Sequence, residues 1–149
     1  NNAGATDKAI EFYEKAIEEN PYHKYANANL GSTLRLRDPK RAKQCLQRAI
    51  SVDPEHDIAL IELGRIQKSE GDSIGAKEKF QKVYDMYLRQ WKTDSLPAYA
   101  YGWFASVAEE LGEKDFARKI RRSTPGPQGE TYYNPENLSK TRTNMLTTK

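Results

Sequence analysis

The residue types able to do covalent or metal chemistry are scarce in this chain: one cysteine, Cys45, and two histidines, His23 and His56, among 149 residues. A zinc centre needs a cluster of three or four Cys, His or carboxylate ligands. His23 and His56 instead stand far apart in sequence, each just after a proline, with no second cysteine or clustered carboxylate to complete a set. Cys45 has no histidine nearby in sequence and falls on an apolar stripe, which describes a packed thiol and not a nucleophile. No glycine-rich phosphate loop and no hydrolase elbow is present. The sequence therefore predicts no enzyme, no cofactor and no metal, and the chemistry left to the chain is recognition.

Charge is the next resource. The net charge is +3, too small by itself to imply a nucleic-acid partner, but it is unevenly spread. Residues 35–48 carry Arg35, Arg37, Lys40, Arg41, Lys43 and Arg48 against Asp38 alone, and Arg118, Lys119, Arg121 and Arg122 form a second cluster. Residues 7–19 lean acidic through Asp7, Glu11, Glu14, Glu18 and Glu19. The basic runs suit either a solvated outer face or contacts with nucleic acid or an acidic protein. The bland outer face is the preferred reading.

Such residues need elements to position them, and the sequence announces those by repetition. A-I-E-F-Y-E-K-A-I-E-E-N-P at 9–21 returns as A-K-Q-C-L-Q-R-A-I-S-V-D-P at 42–54. Ala76 follows Ala42 at almost the same interval as Ala42 follows Ala9. A recurring period of about 34 residues, with small and large apolar residues in phase, signals stacked helix pairs. A first helix is expected at about Lys24–Arg37, and Asp38-Pro39 should start the next, since Asp caps and Pro is tolerated in the first turn. That second helix places Ala42, Cys45, Leu46, Ala49 and Ile50 on one face. The next pair opens near Asp57, turns at Gly71-Asp72 and buries Ala76, Phe80 and Val83.

The register then slips. The next matching alanine, Ala117, arrives about two helical turns late. The second helix of that unit should therefore run long, to Trp91 or Lys92. A fourth first helix opens near Ser95-Leu96-Pro97 and ends at Leu111-Gly112, and a last helix spans Lys114–Arg122. At the start, residues 7–20 read as a second helix without its first, with Gly4 as the stop of a helix upstream, so the chain looks cut from a larger protein. From Ser123, S-T-P-G-P-Q-G-E ends helix formation, and residues 123–149 are expected to be a polar, flexible tail with one helical turn at Pro135–Lys140. Tyr132, Tyr133, Leu138, Met145 and Leu146 in that tail could fold back and occupy a binding groove of the repeats, with simple disorder the preferred reading. Asn137-Leu138-Ser139 matches a glycosylation acceptor and is read as chance. The chain shows no membrane span and no export signal, which points to the cytoplasm.

These residues resemble the tetratricopeptide repeat family over about residues 4–122. Leu30-Gly31, Leu63-Gly64, Ala9, Ala42, Ala76, Tyr13, Phe80, Pro21 and Pro54 fit its pattern, while Asn27 and Leu60 stand where tryptophan is common and Phe104-Ala105 replaces Leu-Gly. The resemblance implies an all-α fold: an α-solenoid of antiparallel helix pairs in a right-handed superhelix, about three and a half repeats over residues 1–122. It also implies a concave groove lined by the first helix of each pair. The groove residues would be Tyr25, Asn29, Ser32 and Arg35, then Ile58, Glu62, Arg65 and Lys68, then Tyr99, Trp103 and Ser106. That lining is aromatic and partly basic, with Glu62 as an internal counter-charge, and suits a peptide bearing an acidic group and an apolar anchor. Members that hold a chaperone's terminal carboxylate need Lys and Arg where this chain has Ile58 and Glu62, so that specialisation is not expected.

The expected function is thus a protein–protein interaction module, an adaptor or scaffold that binds a partner segment in its groove. Two alternatives stand beside it: a basic outer face contacting nucleic acid, and a structural unit that self-associates through the half-repeat at Asn1–Asn20.

Overall fold

The computed structural model describes residues 2–125, and these form seven helices. In chain order they are α1 (Asn2–Glu19), α2 (Lys24–Leu34), α3 (Pro39–Val52), α4 (Asp57–Ser69), α5 (Ser73–Lys92), α6 (Ala100–Glu110) and α7 (Lys114–Arg122). The tail beyond Pro125, with its expected helical turn, its fold-back residues and Asn137, lies outside the described residues. The chain divides into two units, residues 1–80 and 81–149, and α5 runs through the boundary.

In the first unit each helix starts and stops where local chemistry dictates. Asp38 accepts a hydrogen bond from the Arg41 amide at 3.1 Å, and Pro39 occupies the first turn of α3. Gly71 ends α4 with φ +86°, a backbone that a Cβ disfavours, and Asp72 caps α5 by accepting from the Gly75 amide at 2.9 Å. The two proline turns are built alike. Asn20 and Asp53 accept side-chain bonds from the amides two residues on, at 3.1 and 3.2 Å. The amides of His23 and His56 then close each turn onto the carbonyls of Asn20 and Asp53, both at 3.0 Å.

The core of this unit is aliphatic and small. Ala28, Leu30, Leu34, Ala42, Cys45, Leu46, Ala49, Ala59, Leu63 and Ile66 are buried together, with Ile10, Tyr13 and Ile17 of α1 packed against them. Glycine permits the closest approaches. A Cβ on Gly31 would stand 2.5 Å from Leu46 Cγ, and one on Gly64 would stand 2.8 Å from Phe80 Cε1. The Leu-Gly pairs of the sequence are therefore contact points where one helix lies directly on the next.

The second unit is packed with rings. Phe104 on α6 meets Tyr84, Tyr87 and Trp91 of α5 and Phe116 of α7, with centroids 5.5–6.4 Å apart in edge-to-face geometry. Val107, Ala108, Ala117 and Ile120 complete that interior. The long reading of α5 is correct: it has 20 residues against 14 in α3, and the added turns carry the buried Tyr87 and Trp91.

Three expectations need correction. Gly4 does not stop a helix: it lies inside α1, has no positive φ and meets nothing at its Cβ position, while Thr6 Oγ1 bonds back to the Asn2 carbonyl at 2.9 Å. A glycine costs a helix only about 1 kcal/mol, too little to end one where nothing else demands a turn. The first helix of the second repeat ends at Leu34 and not Arg37, because the Arg37 and Asp38 amides both turn back to the Leu34 carbonyl. Helix α6 begins at Ala100, after a turn in which Asp94 takes φ +59° and the Ala100 amide bonds the Pro97 carbonyl.

Candidate functional site

The expected groove residues of the first unit recur with one spacing, 25-29-32-35 along α2 and its C-cap and 58-62-65-68 on α4. Steps of four and three keep each set on one side of its helix. The helices lie side by side, because Tyr25 of α2 meets the His56 ring before α4 at 5.9 Å and Arg35 meets Glu62 across the pair.

Each end of this face has its own chemistry. Tyr25 is 59% exposed and the His56 ring beside it is buried, while the Lys24 ammonium sits 5.0 Å from the tyrosine ring centroid. Ile58 and Asn29 are half-buried close by in sequence. The two histidines are built in as helix caps: His23 Nδ1 accepts from the Ala26 amide at 3.2 Å and His56 Nδ1 from the Ala59 amide at 3.3 Å. In sequence their shared place after a proline is visible but assigns them no role. The signal that could have done so is their position three residues before an alanine, in the slot where Ser, Thr, Asp or Asn usually serves.

The other end is cationic around one buried acid. Glu62 has 4% side-chain exposure; Arg35 Nε lies 2.6 Å from its Oε2 and Arg65 donates to Oε1 at 2.9 Å. Arg35 and Arg65 keep 30% and 24% exposure, so the charge presented to solvent is theirs. Ser32 is half-buried and Lys68 exposed. In the second unit Tyr99 is 61% exposed at the start of α6, and Trp103 and Ser106 follow on the same side, half-buried.

Asn27 shows what replaces the usual tryptophan. It is fully buried, and its amide donates to the carbonyls of Pro21 at 2.9 Å and His23 at 3.0 Å, tying the proline turn to α2.

Much of the basic charge proves to be paired. Arg37 binds Asp7 at 2.8 Å, Arg41 binds Glu14 at 2.6 Å and Lys43 binds Glu70 at 2.7 Å, while Arg118 and Arg121 bind Asp115 and Glu109. The bond to Arg121 holds the Glu109 carboxyl below its ordinary range. Asp7 and Glu14 of α1 thus each hold one arginine at or just before the start of α3, and the field available to a phosphate backbone is weakened accordingly. Cys45 is buried, and burial pushes its thiol pKa up. Among the described residues no group of three His, Cys, Asp or Glu is placed to hold a metal, and no helix is long and apolar enough to cross a membrane.

The tetratricopeptide repeat family matches residues 2–23 and 26–56. Those two stretches are tetratricopeptide repeats. Among solved structures, a crystal structure of MamA protein aligns with 80% of this chain at 26% identity and a TM-score of 0.52. A second MamA crystal structure aligns with 99% at 21% identity and a TM-score of 0.51. This chain spans 62% of the first of those chains and 74% of the second. No curated protein sequence matches it. Tetratricopeptide repeats on this all-α repeat fold make a protein-interaction or scaffold module.

Proposed function

We propose that the α2–α4 face recruits a segment of another protein that carries an acidic group beside an apolar anchor. The observation that carries this reading is the pairing of an exposed aromatic end, Tyr25 against His56, with a cationic end, Arg35 and Arg65, on one face of two adjacent helices. Tyrosine and arginine are among the residue types that most often dominate binding energy at protein interfaces. An arginine fork matches a carboxylate in shape and charge. Tyr99, Trp103 and Ser106 on α6 supply a second patch of aromatic and polar character in the other unit.

The test is a selection from a displayed library of random peptides on the wild-type protein, repeated on an Arg65→Glu/Trp103→Ala variant. Peptides combining Asp or Glu with Phe, Tyr, Trp or Leu should enrich on the wild type and lose enrichment on the variant. Enrichment of basic peptides, or the same peptides from both proteins, would overturn the reading.

A further inference from the structure

Away from the α2–α4 face the first unit has an open cleft of about 440 Å³ between α1 and α3. Its floor is apolar: Leu30 of α2 and Cys45 of α3 are buried, and Ile17 of α1 is half-buried beside them. One wall is acidic, with Glu14 and Glu18 of α1, and the other carries Arg41, Gln44 and Arg48 of α3. Its volume lies in the range of ligand-binding clefts.

The two walls are joined at one end. Arg41 reaches Glu14 at 2.6 Å, and Arg37 reaches Asp7 at 2.8 Å, so the pairing advances in the same direction along both segments. The next acid on this wall is Glu18, one helical turn on from Glu14. One turn on from Arg41, α3 offers Gln44 and Cys45, which are neutral, and the next base, Arg48, stands a further turn away. The two walls thus fall out of step. Among the described residues the Glu18 carboxylate and the Arg48 guanidinium have no hydrogen bond or ion pair, and both are exposed. Arg48 nevertheless reaches over the floor. Burial raises the Cys45 thiol pKa, and the charges of Arg41 and Arg48 act against that rise.

An acid and a base on opposite walls, unmatched across an apolar floor, call for a ligand that carries both signs with an apolar group between them. We propose that this cleft is a second docking site, independent of the α2–α4 face, for a segment of another protein in which a large apolar side chain stands between a basic and an acidic residue. The apolar side chain packs against Ile17 and Leu30, its basic neighbour meets Glu18, and its acidic neighbour meets Arg48. The Glu14–Arg41 pair stays closed and supplies shape. Each new ion pair is solvent-exposed and contributes little alone. The apolar group supplies most of the affinity, and the two charges select which segment may bring it. A segment charged with one sign only is attracted by one wall and repelled by the other.

The probes are four blocked tripeptides: acetyl-Lys-Leu-Glu-amide, acetyl-Lys-Leu-Gln-amide, acetyl-Gln-Leu-Glu-amide and acetyl-Lys-Gly-Glu-amide. Binding to the whole chain is read by NMR titration of the α1 and α3 backbone amide signals. The first peptide should bind most tightly. Removing either charge should weaken it about threefold, and removing the leucine side chain about tenfold. Glu18→Arg and Arg48→Glu should each weaken the first peptide. The double variant Glu18→Arg/Arg48→Glu should restore it, because the walls have exchanged sign and the ligand can lie the other way round. Both residues are exposed, so these changes leave the core untouched. No rescue in the double variant, or equal binding of the peptides with one charge and with two, overturns the proposal. So does the absence of any shift in α1 and α3 with peptide in the millimolar range. The Arg65→Glu/Trp103→Ala variant should bind the first peptide as the wild type does. A loss there would move the peptide to the other face and overturn the second site.

Discussion

The two units solve one problem, laying helix on helix, by opposite means. In the first, Gly31 and Gly64 bring backbones close enough that Leu46 and Phe80 touch where a Cβ would be. In the second, Ala105 stands at the glycine position and Phe104 beside it is surrounded by four other rings. Contact through a missing side chain works at one separation only, because close-packed interiors leave no slack. It ties each unit to the same length, and the alanines recur almost evenly from Ala9 to Ala42 to Ala76. Rings fill a wider and more variable gap through edge contacts. The second unit can therefore absorb a longer α5 and the wider interval from Ala76 to Ala117. Strict periodicity is a property of the packing device, and it ends where the device changes.

The sharpest way to break this comparison is to remove a ring from each unit. Both Phe80→Ala and Phe104→Ala should cost about 3–5 kcal/mol in chemical denaturation. Phe104→Ala should be the worse, since it also forfeits edge contacts worth about 0.5–1.5 kcal/mol each. A smaller loss for Phe104 than for Phe80 would mean that the ring cluster is loosely packed.

Adding an atom should separate the units in the other direction. Gly31→Ala drives a methyl into Leu46 and should destabilise by about 1–3 kcal/mol, less the roughly 1 kcal/mol that alanine gains over glycine in a helix. Combined with Leu46→Ala, it should cost less than the two changes summed, and a double-mutant cycle reads that coupling. Gly102→Ala on α6, with nothing within 4 Å, should be neutral or stabilising.

The smallest effect concerns charge. Lys24 and Asp53 join α2 to the end of α3 at 3.2 Å. Burial alone would raise the Asp53 pKa, but the bond from Lys24, the Glu55 amide and the lysine's charge together lower it. The same bond and charge raise the Lys24 pKa above its ordinary value. The folded state thus prefers the charged form of both. Their contribution is present between the two ordinary ranges, fades as pH falls through the lowered Asp53 value, and fades again as pH rises through the raised Lys24 value. Asp53→Asn should flatten the acid limb of stability against pH by a small amount, as surface pairs generally do. A steeper acid limb in the variant would contradict the sign.

What could be read from the sequence was what physics makes local. Asp38-Pro39, Gly71-Asp72 and Leu111-Gly112 mark helix ends by chemistry confined to a few residues, and the structure places ends there. The length of α5 followed from the count between alanines. The start of α6 was missed because its turn depends on a positive φ at Asp94, which no nearby glycine announces. The burial of Glu62 was legible only as a counter-charge, since whether an acid is covered depends on a neighbouring segment, here the end of α2 where Arg35 forms the C-cap. The histidine caps went unread because a ring nitrogen can accept a backbone bond but seldom does so in the familiar capping pattern.

Those caps have a consequence for how such a chain can lengthen. The stretch from Asn20 to His23, like that from Asp53 to His56, carries its turn, its stop and the start of the next helix within four residues. The turn and the cap are each closed by hydrogen bonds among residues of that stretch and the first turn of the next helix. A duplication of the stretch from one such turn to the next copies both the words and the full stop, so the new unit arrives already able to begin and end itself. α6, which starts without a side-chain cap, lacks that portability and would have to be inherited together with the rings around Phe104.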